Sequence, residues 1–296
     1  VKGELCRAIT ADGLELQGLL VSPGGVAPEA AVIHVHGLAG NFYENRFIDD
    51  VAAAVAGRGL SFLTVNTRGR DYLSDFIREM PDGTKAYTQI GGIHEVFEDC
   101  TEDIGTWVRF LRARGTRPII LQGHSHGALK ATYYLHKKRD PEIIGLILLS
   151  PSDDLGCQRM RLGARFDEAL RQARAMVGAG RGRDLMPEGF FHYPVSAGTY
   201  LDIFDEGSKL KIFNLSRTDT EEFKELAGIS IPVLVIVGSV DEAFVGAPEA
   251  YLSQIRAEMK ATAGFTGHVV RGAPHNYLDF EAAVATRIGA WLNSGL

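Results

Sequence analysis

Short apolar β-type runs alternate with helix-type segments along most of this chain, and that alternation restricts the fold more than any single motif. The runs at 30–36 (AAVIHVH), 60–66 (LSFLTVN), 118–122 (PIILQ), 143–150 (IIGLILLS) and 231–237 (IPVLVIV) are almost continuously apolar. Strands read this way when both of their faces are buried. Further strands are expected at 14–21, ending at the turn Pro23-Gly24-Gly25, and at 267–271. Helical spacing marks 45–58, 96–114, 129–138, 248–259 and 280–293; Ile104, Trp107, Val108 and Leu111 recur at three- and four-residue steps. Gly59 and Gly115 stop two of these helices. Such alternation gives parallel strands whose crossover helices cover both faces. The expected fold is therefore α/β, with a mostly parallel, doubly wound sheet.

The rhythm breaks once. Between Pro151 and Ile229 no comparable β-rich run occurs, and an amphipathic helix fits 162–177, with Leu162, Phe166, Leu170 and Ala173 on one face. We read 151–228 as a helical insert over the sheet, and 1–150 with 229–296 as the core. A chain of 296 residues, 45% of them hydrophobic, can bury a core of that size.

Charge excludes several functions. Lysine plus arginine number 31 against 37 aspartates and glutamates, a net charge of −6. Nucleic-acid binders carry a basic excess, so no nucleic-acid partner is expected. No run approaches the ~20 apolar residues that cross a bilayer, so no membrane partner is expected. Cys6, Cys100 and Cys157 are odd in number, scattered, and form no CxxC pair, which suggests neither a zinc ribbon nor a disulfide framework. Three reduced thiols fit a cytoplasmic protein. The segment from Val1 to Cys6 has no apolar signal core; either no signal peptide existed or it was removed before this numbering begins.

The chemistry starts at Gly123-His124-Ser125-His126-Gly127, which follows the strand at 118–122 and leads into a helix. This is G-x-S-x-G in its strand–turn–helix context. The sharp turn lifts the serine hydroxyl above the strand ends, and the two glycines remove side chains that would collide there. The free N–H groups and positive end of the following helix face the same point and stabilise an oxyanion. A serine needs a base, and the base an acid. The strand at 231–237 ends in Gly238-Ser239-Val240-Asp241-Glu242, and that at 267–271 in Gly272-Ala273-Pro274-His275-Asn276-Tyr277. Asp241 and His275 thus fall just past strand C-terminal ends, where open α/β sheets place their crevice. Serine, acid and histidine follow in the order this scaffold uses. Glu242 competes for the acid role, as do Asp153 and Asp154 after the strand at 143–150.

The other histidines fit structural roles. His36 closes a strand, His268 lies inside one, and the side chains of His124 and His126 are expected to point away from the serine. His94, His136 and His192 have no visible acid–base partner. His34 and His36 share a strand face, but no carboxylate or cysteine lies at supporting spacing, so no metal is expected. No cofactor is expected either.

HVHGLAGN, GHSHG, VGSVDE and GAPHNY together resemble the α/β-hydrolase superfamily over nearly the whole chain apart from the insert. The resemblance implies an α/β-hydrolase fold with a helical lid, and an oxyanion hole formed by the backbone N–H groups of Leu38 and His126. HGLAGN is similar to the oxyanion loop of small cinnamoyl- and feruloyl-type esterases. The insert residues 196–201 and 212–214 are similar to a group that includes siderophore esterases.

The insert carries Arg159, Arg161, Arg165, Arg171, Arg174, Arg181 and Arg183 against Asp167, Glu168 and Asp184 within 158–184. One or two of these arginines facing the cleft would favour an anionic or strongly polar substrate; the alternative is a solvated helix face. Phe190, Phe191, Tyr193, Tyr200 and Phe204 would wall a pocket or form lid core. Arg68-Gly69-Arg70-Asp71-Tyr72 reads as a structural loop. The expected function is a serine hydrolase cleaving a carboxylic ester of a small or medium-sized molecule through an acyl-enzyme. Carbon–carbon bond hydrolysis, amidase and acyltransferase activity use the same triad, and a non-catalytic ligand-binding relative is the remaining alternative.

Overall fold

The computed structural model describes residues 2–24, 28, 30–216 and 222–294; Gly25 of the expected turn lies outside them. An eight-stranded sheet forms the centre. Its strands are β1 (Gly3–Ile9), β2 (Glu15–Val21), β3 (Ala31–Val35), β4 (Ser61–Val65), β7 (Ile119–His124), β8 (Ile143–Leu149), β9 (Val233–Gly238) and β10 (Phe265–Val270), in spatial order 1-2-4-3-7-8-9-10. From β4 to β10 every neighbouring pair is parallel, while β1 and β2 are antiparallel to their neighbours. The mostly parallel sheet of the expectation is therefore found.

Alternation on the inner strands explains their continuous apolar runs. Ile33, Leu121, Leu148 and Val235 pack on one side of the sheet, and Val32, Ile120, Ile147 and Leu234 on the other. Helices α1 (Phe47–Ala56) and α9 (Glu281–Ser294) cover the second side; α2 (Cys100–Ala113), α3 (His126–Lys138) and α8 (Pro248–Glu258) cover the first. Parallel strands buried on both faces read as unbroken apolar stretches for this reason.

Several elements differ from the sequence expectation. β1 and the separate hairpin β5 (Asp75–Glu79) with β6 (Lys85–Gln89) were not foreseen. β6 exposes most of its residues, so its pattern shows no buried face. The helix expected at 162–177 is α5 (Arg165–Gly178), and an unforeseen helix, α4 (Asp154–Leu162), precedes it and ends at Gly163 with φ +53°. A positive φ ends a right-handed helix at low cost only for glycine.

Between β8 and β9 the described residues add two further α-helices, α6 (Ala197–Phe204) and α7 (Lys224–Ala227). Phe166, Leu170, Tyr200 and Phe204 of this stretch belong to the same continuous buried cluster as Leu129 and Leu148 of the core. Burial of these side chains in that shared cluster supplies the driving force for the stretch to fold there.

Candidate active site

Ser125 occupies the turn between β7 and α3 with φ +56° and ψ −128°. That conformation is rare for a residue with a side chain, and it persists where surrounding structure enforces it. The two motif glycines are part of that enforcement. A Cβ on Gly123 would lie 2.2 Å from the Gly127 carbonyl oxygen, and one on Gly127 would lie 2.3 Å from that of Val35. Only glycine lets α3 approach β3 and β7 this closely.

His275 follows β10 and Asp241 follows β9. His275 Nδ1 lies 2.9 Å from Asp241 Oδ1, although the residues are 34 positions apart. The Asp241 side chain is fully buried, and the Ala243 N–H donates to the same oxygen at 2.9 Å. Burial alone pushes the Asp241 carboxyl up, but the hydrogen bond and charge of His275 hold it below its usual value. Burial likewise pulls the imidazole of His275 down, and Asp241 outweighs it, leaving His275 above 6.5.

Ser125 and His275 border one cavity of about 710 Å³, also lined by Leu38 of the loop after β3 and by Arg161, Phe191 and Tyr193 of the stretch between β8 and β9. No hydrogen bond joins Ser125 Oγ to His275 among the described residues. Catalytic hydrogen bonds are often long in an unliganded site and tighten on binding. The Leu38 N–H donates to no described group, and His126 opens α3, where the first N–H groups have no intrahelical partner. His126 also directs its imidazole to Asp154 of α4, Nδ1 to Oδ2 at 2.9 Å, joining the residue after the serine to the insert.

The rival carboxylates have other partners. Asp153 caps α4 by accepting the Gly156 N–H at 2.8 Å and takes the Ser216 hydroxyl at 2.8 Å; burial raises its pKa to about 6. Asp154 is held by His126, and Glu242 borders the cavity without contacting His275.

The structure corrects the expectation for His124. Its side chain does not turn away from the site; its ring packs 4.9 Å from that of His275 and it borders the cavity. The alternation of β7 places Gln122 and His124 on one face, but sequence carries no indication that the His275 loop covers that face. His36 is structural: Nδ1 donates to the Gly37 carbonyl at 2.8 Å, and Nε2 accepts the Thr67 N–H at 3.1 Å. His34 Nδ1 pairs with Gln122 Nε2 at 2.8 Å. Among the described residues no group of three or more His, Cys, Asp or Glu is placed to hold a metal ion. Arg68 is buried and pairs with Asp103, Asp99 and Asp12 at 2.9–3.1 Å, so its loop is structural.

The arginines of the insert divide. Arg174 pairs with Asp205, Arg165 with Glu168, Arg181 with Asp184, and Arg183 donates to the Gln89 carbonyl. Arg161 alone of the seven borders the cavity. Its Nε and Nη2 donate to Gln158 Oε1 at 3.1 and 2.9 Å and Nη2 to the Phe190 carbonyl at 2.6 Å, so neutral acceptors orient it. The aromatic group divides too: Phe190, Tyr200 and Phe204 are buried in the insert, while Phe191 and Tyr193 line the cavity. Gln158 and Glu44 also line it and were not singled out by sequence, since nothing in their local pattern marks them; His192, set aside at the sequence level for want of a partner, lines it too.

A strand-order reversal that places a crevice at the C-terminal strand ends, with a strained serine at its floor, defines an α/β hydrolase. The profile of the Alpha/beta hydrolase family matches residues 32–287, and the chain belongs to that family and is a hydrolase. Among solved structures it is similar to Est1E from Butyrivibrio proteoclasticus with ferulic acid bound, at 18% identity and a TM-score of 0.68, covering 97% of this chain and 98% of that one. The Pyrococcus furiosus esterase Pf2001 is 18% identical with a TM-score of 0.62, covering 99% and 91%. A soluble variant of the Saccharomyces cerevisiae monoglyceride lipase with a substrate analogue is 16% identical with a TM-score of 0.67, covering 100% and 96%. A search of curated proteins finds no match. No described helix is long and apolar enough to cross a membrane.

Proposed function

We propose that the protein is a serine esterase that cleaves a carboxylic ester of a small or medium-sized molecule. His275 Nε2 takes the proton of Ser125 as its Oγ attacks the ester carbonyl. Asp241 holds the imidazole in the tautomer with Nδ1–H and stabilises the imidazolium. The Leu38 and His126 N–H groups receive the oxyanion. The alcohol leaves with the proton from His275, and a water activated by the same imidazole releases the acid. The helices of 151–228 act as the lid of the cavity and set which acyl or alcohol group fits.

The observation that carries this reading is the contact of the buried Asp241 carboxylate with the part-exposed His275 at 2.9 Å, on the rim of the cavity that Ser125 also borders. A cavity of about 710 Å³ suits a small to medium ligand. The test is Ser125→Ala, assayed on matched ester, amide and β-diketone substrates beside wild type. Ester turnover in the wild type, absent in the variant together with covalent labelling by a fluorophosphonate, is expected. Undiminished turnover in S125A overturns the mechanism, and turnover of the diketone or amide alone overturns the substrate class.

A further inference from the structure

His124 holds the main chain of His275. His124 Nε2 lies 3.0 Å from the His275 carbonyl oxygen, 151 residues further along the chain. A carbonyl oxygen only accepts, so Nε2 carries the proton and Nδ1 is bare. That Nδ1 is buried without a partner among the described residues, so the contact to His275 alone fixes the tautomer. The rings of His124 and His275 lie 4.9 Å apart at 39°. Phe47 packs edge-on against His124 at 5.2 Å, and Tyr277 lies at 6.1 Å. The residue is only 4% exposed, so its ring has little freedom to leave this position.

We propose that His124 is a positioning residue that sets the distance between Ser125 and His275. The inference rests on the triad reading given above. His124 is the last residue of β7 and directly precedes Ser125, so the strand end that presents the nucleophile also grips the loop that carries the base. Asp241 and His124 hold different things. Asp241 fixes the rotation of the His275 ring, while His124 fixes where its backbone stands. The Gly-x-Ser-x-Gly pattern leaves the residue before serine open, so the pattern by itself does not specify this link. The ring must also stay uncharged beside an imidazole that becomes an imidazolium. Burial, with the charges of His275 and His34 in the same direction and the His275 carbonyl and Asp241 opposing, pulls the pKa of His124 down to about 3.

The test compares His124→Phe, which keeps the ring and loses the donor, with His124→Gln, which keeps an amide N–H near the position of Nε2. For a neutral ester, H124F is expected to lower kcat about tenfold or more while KM stays within about twofold, since small misplacement of a base acts on the chemical step. H124Q is expected to recover most of that loss. H124F at wild-type kcat, or H124Q as slow as H124F, overturns the proposal. If H124F does not fold, H124Q is compared with H124N, whose amide ends about one bond short of the carbonyl. A clearly faster H124Q supports the link, and equal rates overturn it. S125A runs alongside: turnover in S125A sinks the triad reading itself, whereas inactive S125A beside fully active H124F sinks this inference alone.

Discussion

Asp241 Oδ1 stands 2.9 Å from His275 Nδ1, and because Asp241 is fully buried the response of the pair to pH has a fixed sign. The imidazole of His275 is held above 6.5, and the proposed mechanism needs its neutral form. kcat/KM is therefore expected to rise with pH and reach half its plateau above pH 6.5. The stability that the raised pKa contributes runs the other way: it is complete below the unfolded-state value of about 6.5 and is lost as pH rises through the folded value. The depressed Asp241 contributes stability above about 3.8 that is lost as pH falls through its folded value. A pH–rate profile with a midpoint below 6.5 contradicts this assignment.

Replacing each rival carboxylate separates their roles. Asp241→Asn leaves the imidazole in the wrong tautomer and is expected to cost about 10⁴-fold in kcat. Glu242→Gln and Asp153→Asn touch neither ring nitrogen and are expected to remain within about tenfold of wild type. Steady-state kinetics on purified variants decide it; a larger loss in D153N than in D241N moves the acid to the loop after β8.

Arg161 is the cavity arginine whose orienting partners are uncharged. Arg161→Gln is expected to raise KM about tenfold for an ester bearing a carboxylate, roughly the value of one charge-assisted hydrogen bond, and to leave a matched neutral ester unchanged. Wild type should also lose preference for the anionic ester as salt rises. Equal effects on both esters remove Arg161 from substrate selection.

Stability depends on a buried ion pair behind the nucleophile turn. Lys130 of α3 donates to Glu95 Oε1 at 2.5 Å and to Thr67 Oγ1 at 3.3 Å; the lysine side chain is fully buried and the glutamate 3% exposed. Lys130→Met strands the carboxylate and is expected to lower unfolding free energy by about 3–5 kcal/mol, read from urea denaturation. The double variant Lys130→Met with Glu95→Leu should regain much of it, because removing both charges removes the desolvation cost.

The apolar runs at 30–36, 60–66, 118–122, 143–150 and 231–237 were enough to read the α/β class and the parallel core, and the pentapeptide around Ser125 was enough to nominate a candidate site. Those features are local: a strand buried on both faces needs consecutive apolar residues, and a tight turn needs glycine at fixed offsets. The sequence put Asp241 ahead of Asp153 by chain order and its place after a strand, but the partners that distinguish them come from elsewhere, His275 for one and the Gly156 N–H with Ser216 for the other. It could not choose Arg161 among seven arginines, since that choice depends on which side of α4 faces the cavity. It also misplaced the side chain of His124. A strand's alternation says which residues share a face, but only the packing of the loop after β10 against β7 decides what covers that face, because such contacts join residues whose separation along the chain carries no periodic trace.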